Sequence, residues 1–354
     1  MRNGPSGIFT FADIFAGIGG IRYGFESVGG RCVFSAEYDP HSQTTYQTFF
    51  GERPDFSSID PVVPPGDITK LSPDKVPEHD ILTGGFPCQP FSLAGVSKKQ
   101  SLGRPHGLDD PKQGRLFFSL LEILVAKRPK AFFFENVKNL LGHDKGRTFA
   151  VLQDALSRAG YHIHAKVVDA SFWVPQKRQR LYIVGFQDPT IAGCFDFNNI
   201  KPTGPRTSLA EVLETEVPEK YMLGKGTWDT LVRHKAHHEA KGQGFGYGLL
   251  APPWDNQTTR TLSARYHKDG AEILIHQEGM IRPRRLTPLE CCRLMGFPKK
   301  CERWFDRSDT AHPQPVCDTH AYRQFGNSVV VPVITAIAGE MIRVLKINPS
   351  LPGR

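Results

Sequence analysis

Cys88 stands in the run Gly84-Gly85-Phe86-Pro87-Cys88-Gln89-Pro90-Phe91-Ser92, directly after the short, largely apolar segment Asp80–Thr83. That segment reads as a buried strand ending in a loop. A cysteine held between Pro87 and Pro90 there is pre-positioned and poorly suited to core packing. Free cysteine is otherwise a small buried hydrophobe, so the competing reading is a nucleophile on a loop. Glu135 follows the apolar residues Ala131–Phe134, where a carboxyl is readily half-buried and its pKa raised. The plainer alternative is that Glu135-Asn136 caps the next segment. Gln176, Arg178 and Arg180 alternate and share one face of an extended strand. Such a row is costly unless it meets anions or carbonyls, or is simply a solvated basic face.

The elements that must position these groups alternate as in an α/β sheet. Ile8–Phe15 reads as a strand, and Ile21, Phe25 and Val28 then fall on one helical face before Gly29-Gly30 stops the helix. Arg31–Ala36 is a second strand. Leu116–Val125 has a helical pattern, and Ala131–Phe134 is a short apolar strand. His162–Val168 and Arg180–Phe186 read as a hairpin. Strand, turn at Gly17 and Gly19, and helix make a pocket where backbone approaches a ligand closely. Glu37 lies 20 residues beyond Gly17, where a carboxylate accepts hydrogen bonds from both ribose hydroxyls. A nicotinamide dinucleotide competes for this pattern. The turn lacks the full G-x-G-x-x-G phosphate-binding spacing, which favours a cofactor without phosphates. From Gln187 to Met280, scattered Gly, Pro and His with little helical period predict a separate, loop-rich module.

Phe15-Ala16-Gly17-Ile18-Gly19-Gly20, Pro87-Cys88-Gln89, Glu135-Asn136-Val137, Gln176-Lys177-Arg178-Gln179-Arg180, Arg285-Leu286-Thr287-Pro288 and Gly326-Asn327-Ser328-Val329 follow one another along almost the whole chain. This succession resembles the bacterial cytosine C5 DNA methyltransferases in motif type and order. The resemblance implies a Rossmann-like, S-adenosylmethionine-dependent α/β sheet with a smaller, loop-rich target-recognition domain. The expected boundaries are 1–186 for the catalytic and cofactor domain, 187–326 for recognition and hinge, and 327–354 for a segment returning to the catalytic domain.

The same resemblance implies residue roles. Cys88 would add to C6 of a flipped-out cytosine, because C5 is too weak a nucleophile to attack a sulfonium methyl unaided. Glu135 would hydrogen-bond N3 and the exocyclic amine, Arg180 the O2, and Arg178 the backbone of the catalytic pocket. Phe15 would stack on the adenine, Glu37 would hold the ribose, and Asp67 and Ile68 would read the adenine. Gly17, Gly19, Tyr38, Pro87, Leu116, Asn327 and Val329 would complete the cofactor pocket. Asp13 is left open between a place in the cofactor site and a plain role capping or satisfying nearby backbone, and Asn136 is read as structural. Residues 92–115 read as a mobile lid, and Gln89, Ser92, Lys98, Lys99, Arg115, Gln176, Arg265 and Tyr266 are expected at the DNA. Segments 242–248 and 261–266 are similar to recognition regions of enzymes that methylate CC(A/T)GG-type sites.

At 354 residues the chain can bury one large domain and a smaller one. A formal net charge of +8 and a pI near 9.1 favour a polyanionic partner. Seven irregularly spaced cysteines argue against a disulfide framework. Cys291, Cys292, Cys301, His312 and Cys317 lack the paired spacing of a zinc site, so no metal is expected. No apolar run approaches the roughly 20 residues of a membrane span, and a cytoplasmic, monomeric enzyme acting on double-stranded DNA is expected. A cognate restriction endonuclease is an open partner. Two rivals stand beside this reading: an RNA cytosine methyltransferase on the same scaffold, and a non-catalytic DNA-binding protein, which would be expected to lack Cys88, Glu135 or Arg180.

Overall fold

The computed structural model describes residues 9–57, 64–87, 115–242 and 246–347. Its centre is a six-stranded sheet in the order β2-β1-β3-β4-β6-β5. The strands are β1 (Phe9–Ile14), β2 (Gly30–Ala36), β3 (Ile81–Gly84), β4 (Ala131–Val137), β5 (His162–Asp169) and β6 (Gln179–Phe186). β1 pairs in parallel with β2 on one side and β3 on the other. β4 continues the parallel run, and β6 and β5 close the sheet antiparallel. The order of connection therefore reverses about β1, and a crevice opens at the carboxyl ends of β1 and β3, where open α/β sheets bind ligands.

Helices cover both faces, so the central strands are apolar on both sides rather than alternating with polar residues. Phe133 packs into the cluster that holds Phe11, Phe25 and Val184. Its neighbours Phe132 and Phe134 point to the other face, with Leu82, Leu120 and Ile183. That opposition is the two-residue period of a strand. The terminal helix Val331–Ile347 lies against helix Gly20–Ser27, so closely that a Cβ on Gly24 would come within 2.5 Å of Ile334. A window within Asp318–Leu345 is long and apolar enough to cross a membrane, contrary to the sequence reading, but 61% of it is buried inside the protein. Its apolarity is that of a core helix.

The region after β6 differs from expectation. Helix Lys225–Glu239 runs for 15 residues and buries none of them, so no apolar period marks it in the sequence. A small sheet joins β7 (Leu249–Leu250), β8 (Leu274–Ile275) and β9 (Arg284–Arg285). Nor is this region's core separate, because Leu209, Tyr266 and Ile273 belong to the same apolar cluster as Phe11 and Ile337.

The Arg285-Leu286-Thr287-Pro288 motif starts helix Pro288–Leu294 with a capping box between Thr287 and Glu290. Glu290 also takes both guanidinium nitrogens of Arg284 at 2.8 Å, and the two side chains are 0% and 1% exposed. Arg284→Ala would leave Glu290 buried and uncompensated. A loss of about 3–5 kcal/mol in a urea titration is expected.

Candidate active site

The glycine-rich turn after β1 leaves the sheet through two left-handed residues, Phe15 (φ 59°) and Gly17 (φ 56°). Nothing lies within 4 Å of where a Gly17 Cβ would sit, so the turn presents open backbone to the crevice. Glu37, just past β2, reaches back to it. Its Oε2 accepts from the Gly17 N–H at 2.8 Å and its Oε1 from the Asp39 N–H at 2.7 Å. Burial raises the Glu37 pKa, and these backbone donors oppose the shift. The Asp67-Ile68 loop approaches on the far side through Gly66, whose missing Cβ would fall 1.8 Å from the Glu37 carbonyl. Only glycine permits that contact.

These residues line a cavity of about 760 Å³, a size suited to a small-molecule cofactor. Phe15, Gly17, Glu37, Tyr38, Asp67, Ile68, Pro87, Leu116, Asn327 and Val329 all border it. The Tyr38 ring is 68% exposed and free to stack on a ligand. Gly19 does not border it. A Cβ there would meet the Phe50 ring at 2.2 Å, so Gly19 makes room for packing and not for a ligand.

Glu135, Arg178 and Arg180 border the same cavity. The antiparallel register sets Glu135 opposite Tyr182 and Val137 opposite Arg180, which brings Arg180 Nε to 3.2 Å from Glu135 Oε1. Burial raises the Glu135 pKa, with Arg180 and Arg178 opposing. The result is a carboxyl held at a cavity wall and able to keep a proton above the ordinary range.

Arg178 is buried, and its guanidinium donates to the carbonyls of Leu262 (2.8 Å), Gly326 (2.9 Å) and Ser328. Burial lowers its pKa to about 9, and Arg180 adds to the effect. It ties the start of β6 to the segment that carries Asn327 and Val329. Asp13, under the turn, accepts from the Thr83 hydroxyl at 2.9 Å, and burial pushes its pKa up to about 7.

Two residues expected at the DNA are corrected. Gln176 is fully buried, and its amide takes the Leu262 N–H and faces the Leu294 carbonyl. Tyr266 is fully buried, donating to the Ile273 carbonyl and accepting from the Leu286 N–H. Neither has a polar edge left for a base. Arg115 and Arg265 are exposed. Cys88, Gln89, Ser92, Lys98, Lys99 and most of the expected lid lie outside the described residues, as do residues 243–245. The sequence reading missed His320, Arg323 and Gln324, which also border the cavity. Their spacing with Asn327 is that of one helical face, and that was the available signal.

The family model of the C-5 cytosine-specific DNA methylases matches residues 9–343. The chain belongs to that family.

As a C5 methylase it transfers a methyl group to C5 of cytosine in DNA, and the family and fold imply a methyl donor. It is 44% identical to a DNA-cytosine methyltransferase of Escherichia coli K12, over 94% of this chain and 77% of that protein. It is 45% identical to the type II methyltransferase M.NlaX of Neisseria lactamica, over 94% of this chain and 96% of the relative. The fold is similar to that of the Dnmt2 methyltransferase of S. pombe, with a TM-score of 0.70 and 18% identity over 95% of this chain and 99% of that one. In the methylase, then, the cavity joins the strand-end carboxyl of Glu135 to the glycine-rich turn through a single volume.

Proposed function

We propose that this methylase uses S-adenosylmethionine to modify a flipped-out cytosine within one short sequence of double-stranded DNA. The observation that carries the reading is the shared cavity, where Glu135 and Arg180 stand on one wall and Phe15, Gly17 and Glu37 on another. A base and a methyl donor must meet in one volume, and here their candidate partners do. Glu37, oriented by two backbone donors, suits a ribose; Phe15 and Tyr38 suit an adenine, with Asp67 and Ile68 at its edge. Pro87, Leu116, Asn327 and Val329 complete that pocket. When bound, the cofactor supplies an electrophilic methyl group on a sulfonium.

In this reading the Cys88 thiolate adds to C6, forming a C–S bond and pushing electron density toward C5. Glu135 shares its proton with N3, which eases the addition, and Arg180 holds O2 and fixes Glu135. C5 would take the methyl group as the methyl–sulfur bond breaks and its electron pair stays on sulfur, leaving a neutral thioether. A base would then remove the C5 proton, and that electron pair would re-form the C5–C6 double bond as Cys88 leaves as thiolate. Arg178 contributes by holding the Gly326 and Ser328 carbonyls beside the pocket. The region from 187 to 326 would read the DNA, with Arg265 meeting a base, and Arg115, in the catalytic segment, would meet phosphate. Both relatives described above are bacterial, and M.NlaX carries a type II name. That supports a cytoplasmic enzyme with a cognate endonuclease, while one complete set of motifs in a single chain supports a working monomer.

The test is to methylate mixed-sequence plasmid with S-adenosylmethionine and map 5-methylcytosine at base resolution. Methyl groups confined to one short motif are expected, with CC(A/T)GG as the motif to check first. Modification of RNA alone would overturn the DNA reading. Transfer to neither would leave a binding protein.

A further inference from the structure

We propose that His234 and His238 form a binding site for a divalent transition-metal ion of the nickel, copper and zinc class. Both lie on helix Lys225–Glu239, four residues apart and so one above the other on a single face. Their Nε2 atoms stand 3.1 Å apart, with ring centroids 4.3 Å apart and planes inclined at 61°. Bonds from such metals to imidazole nitrogen run about 2.0–2.1 Å. Two nitrogens at this separation therefore meet an equidistant ion at an angle of roughly 100°, between the ~90° of octahedral or square sites and the ~109° of tetrahedral ones. Without an ion, one ring's N–H donates to the other's lone pair. With an ion, the ring protons sit on Nδ1 and both Nε2 lone pairs point to the metal.

Ligand type and surroundings narrow the ion. Neutral imidazole suits nickel, copper and zinc, whereas magnesium and calcium take oxygen. No group of three or more His, Cys, Asp or Glu side chains able to hold an ion occurs among the described residues, so the protein supplies two ligands here and water completes the shell. His234 is exposed and His238 half-buried, which leaves room for that water. His237 is kept out of the pair by the helix itself, since consecutive residues point about 100° apart. Its ring lies 5.6 Å from that of His238 and nearly perpendicular to it. The neighbouring cations are engaged elsewhere: Lys235 by Glu239 at 3.7 Å and over the Tyr247 ring, and Arg233 with the Thr230 hydroxyl. The helix buries none of its residues, so it opens more readily than elements of the core. An ion spanning one of its turns binds only the folded helix and so stabilises it. Neither histidine borders the catalytic cavity, and the site stands independently of the methyl-transfer reading.

The experiment titrates nickel chloride into the wild-type chain, carrying no added tag, and into His234→Gln, His238→Gln and His237→Gln. Nickel is the probe because thiolates, which the chain also carries, select copper(I) and zinc. Calorimetry should show a step of one ion per wild-type chain. Either pair variant should bind at least about tenfold more weakly, because the second nitrogen's contact is intramolecular, while His237→Gln should match the wild type. Glutamine is at least as good a helix former as histidine, so the helix survives each change. Hydrogen exchange supplies the local readout. Nickel should slow exchange of the backbone amides of residues 225–239 in the wild type and in His237→Gln, but not in the pair variants, and magnesium chloride at the same concentration should have no effect. Equal nickel affinity in the wild type and the pair variants would overturn the proposal, as would exchange at 225–239 that nickel leaves unchanged. So would an equal loss in His237→Gln, the mark of a diffuse histidine cluster, or equal protection by magnesium, the mark of charge screening.

Discussion

Cys88→Ser is expected to reduce methyl transfer to the level of an enzyme-free control while leaving cofactor binding intact. Removing a covalent nucleophile typically costs on the order of 10⁴-fold or more. A serine hydroxyl cannot replace the thiolate, because its pKa lies far above neutrality and no general base adjoins it in the sequence. Pro87, the residue before it, borders the cavity, and so do Glu37 and Gly17. The substitution leaves that lining unchanged, so calorimetry with the cofactor should match the wild type as tritium transfer to DNA vanishes. Retained turnover would eliminate the covalent route.

Glu135→Gln should lower kcat by about 10²–10⁴-fold, the usual contribution of a positioned proton donor. Glutamine keeps the shape and one acceptor for Arg180, but it has no proton to share with N3. The pH profile separates this role from a simple packing role. Burial raises the Glu135 pKa against the pull of Arg180 and Arg178, so the protonated form persists above the ordinary carboxylate range. Wild-type kcat should fall as pH rises through that raised value, because the proton is then lost. The residual rate of Glu135→Gln should show no such step. A step of equal size in both proteins would assign the titration to another group.

Much of the core architecture can be read along the chain. Ala131–Phe134 is apolar at every position because β4 is buried on both faces, and His162–Val168 with Arg180–Phe186 do form the antiparallel pair. Helix Lys225–Glu239 escaped notice for the opposite reason: it buries nothing, so its sequence carries no periodic mark. Gln176 and Tyr266 were misplaced because residue type alone does not tell a polar group facing DNA from one satisfying backbone inside the protein. Each is spent on main-chain partners far along the chain, such as Leu262 and Leu286. Gly19 shows the same limit, since a glycine required by an aromatic ring looks identical to one required by a ligand.

Residue order and type pointed to the chemistry: a cysteine between two prolines, a carboxyl after an apolar run, alternating arginines, and a glycine-rich segment with an acid 20 residues on. Only the tertiary structure decided that the carboxyl, the arginines, the turn and its acid share a space. Glu135 meets Arg180 through the register of β4 against β6, a pairing across 45 positions set by the burial of both faces. Asn327 and Val329 reach the turn after β1 because the terminal helix packs on Gly20–Ser27. Arg178 then locks the neighbouring carbonyls in place. Such contacts join residues up to hundreds of positions apart, and they depend on packing energies that no local pattern records.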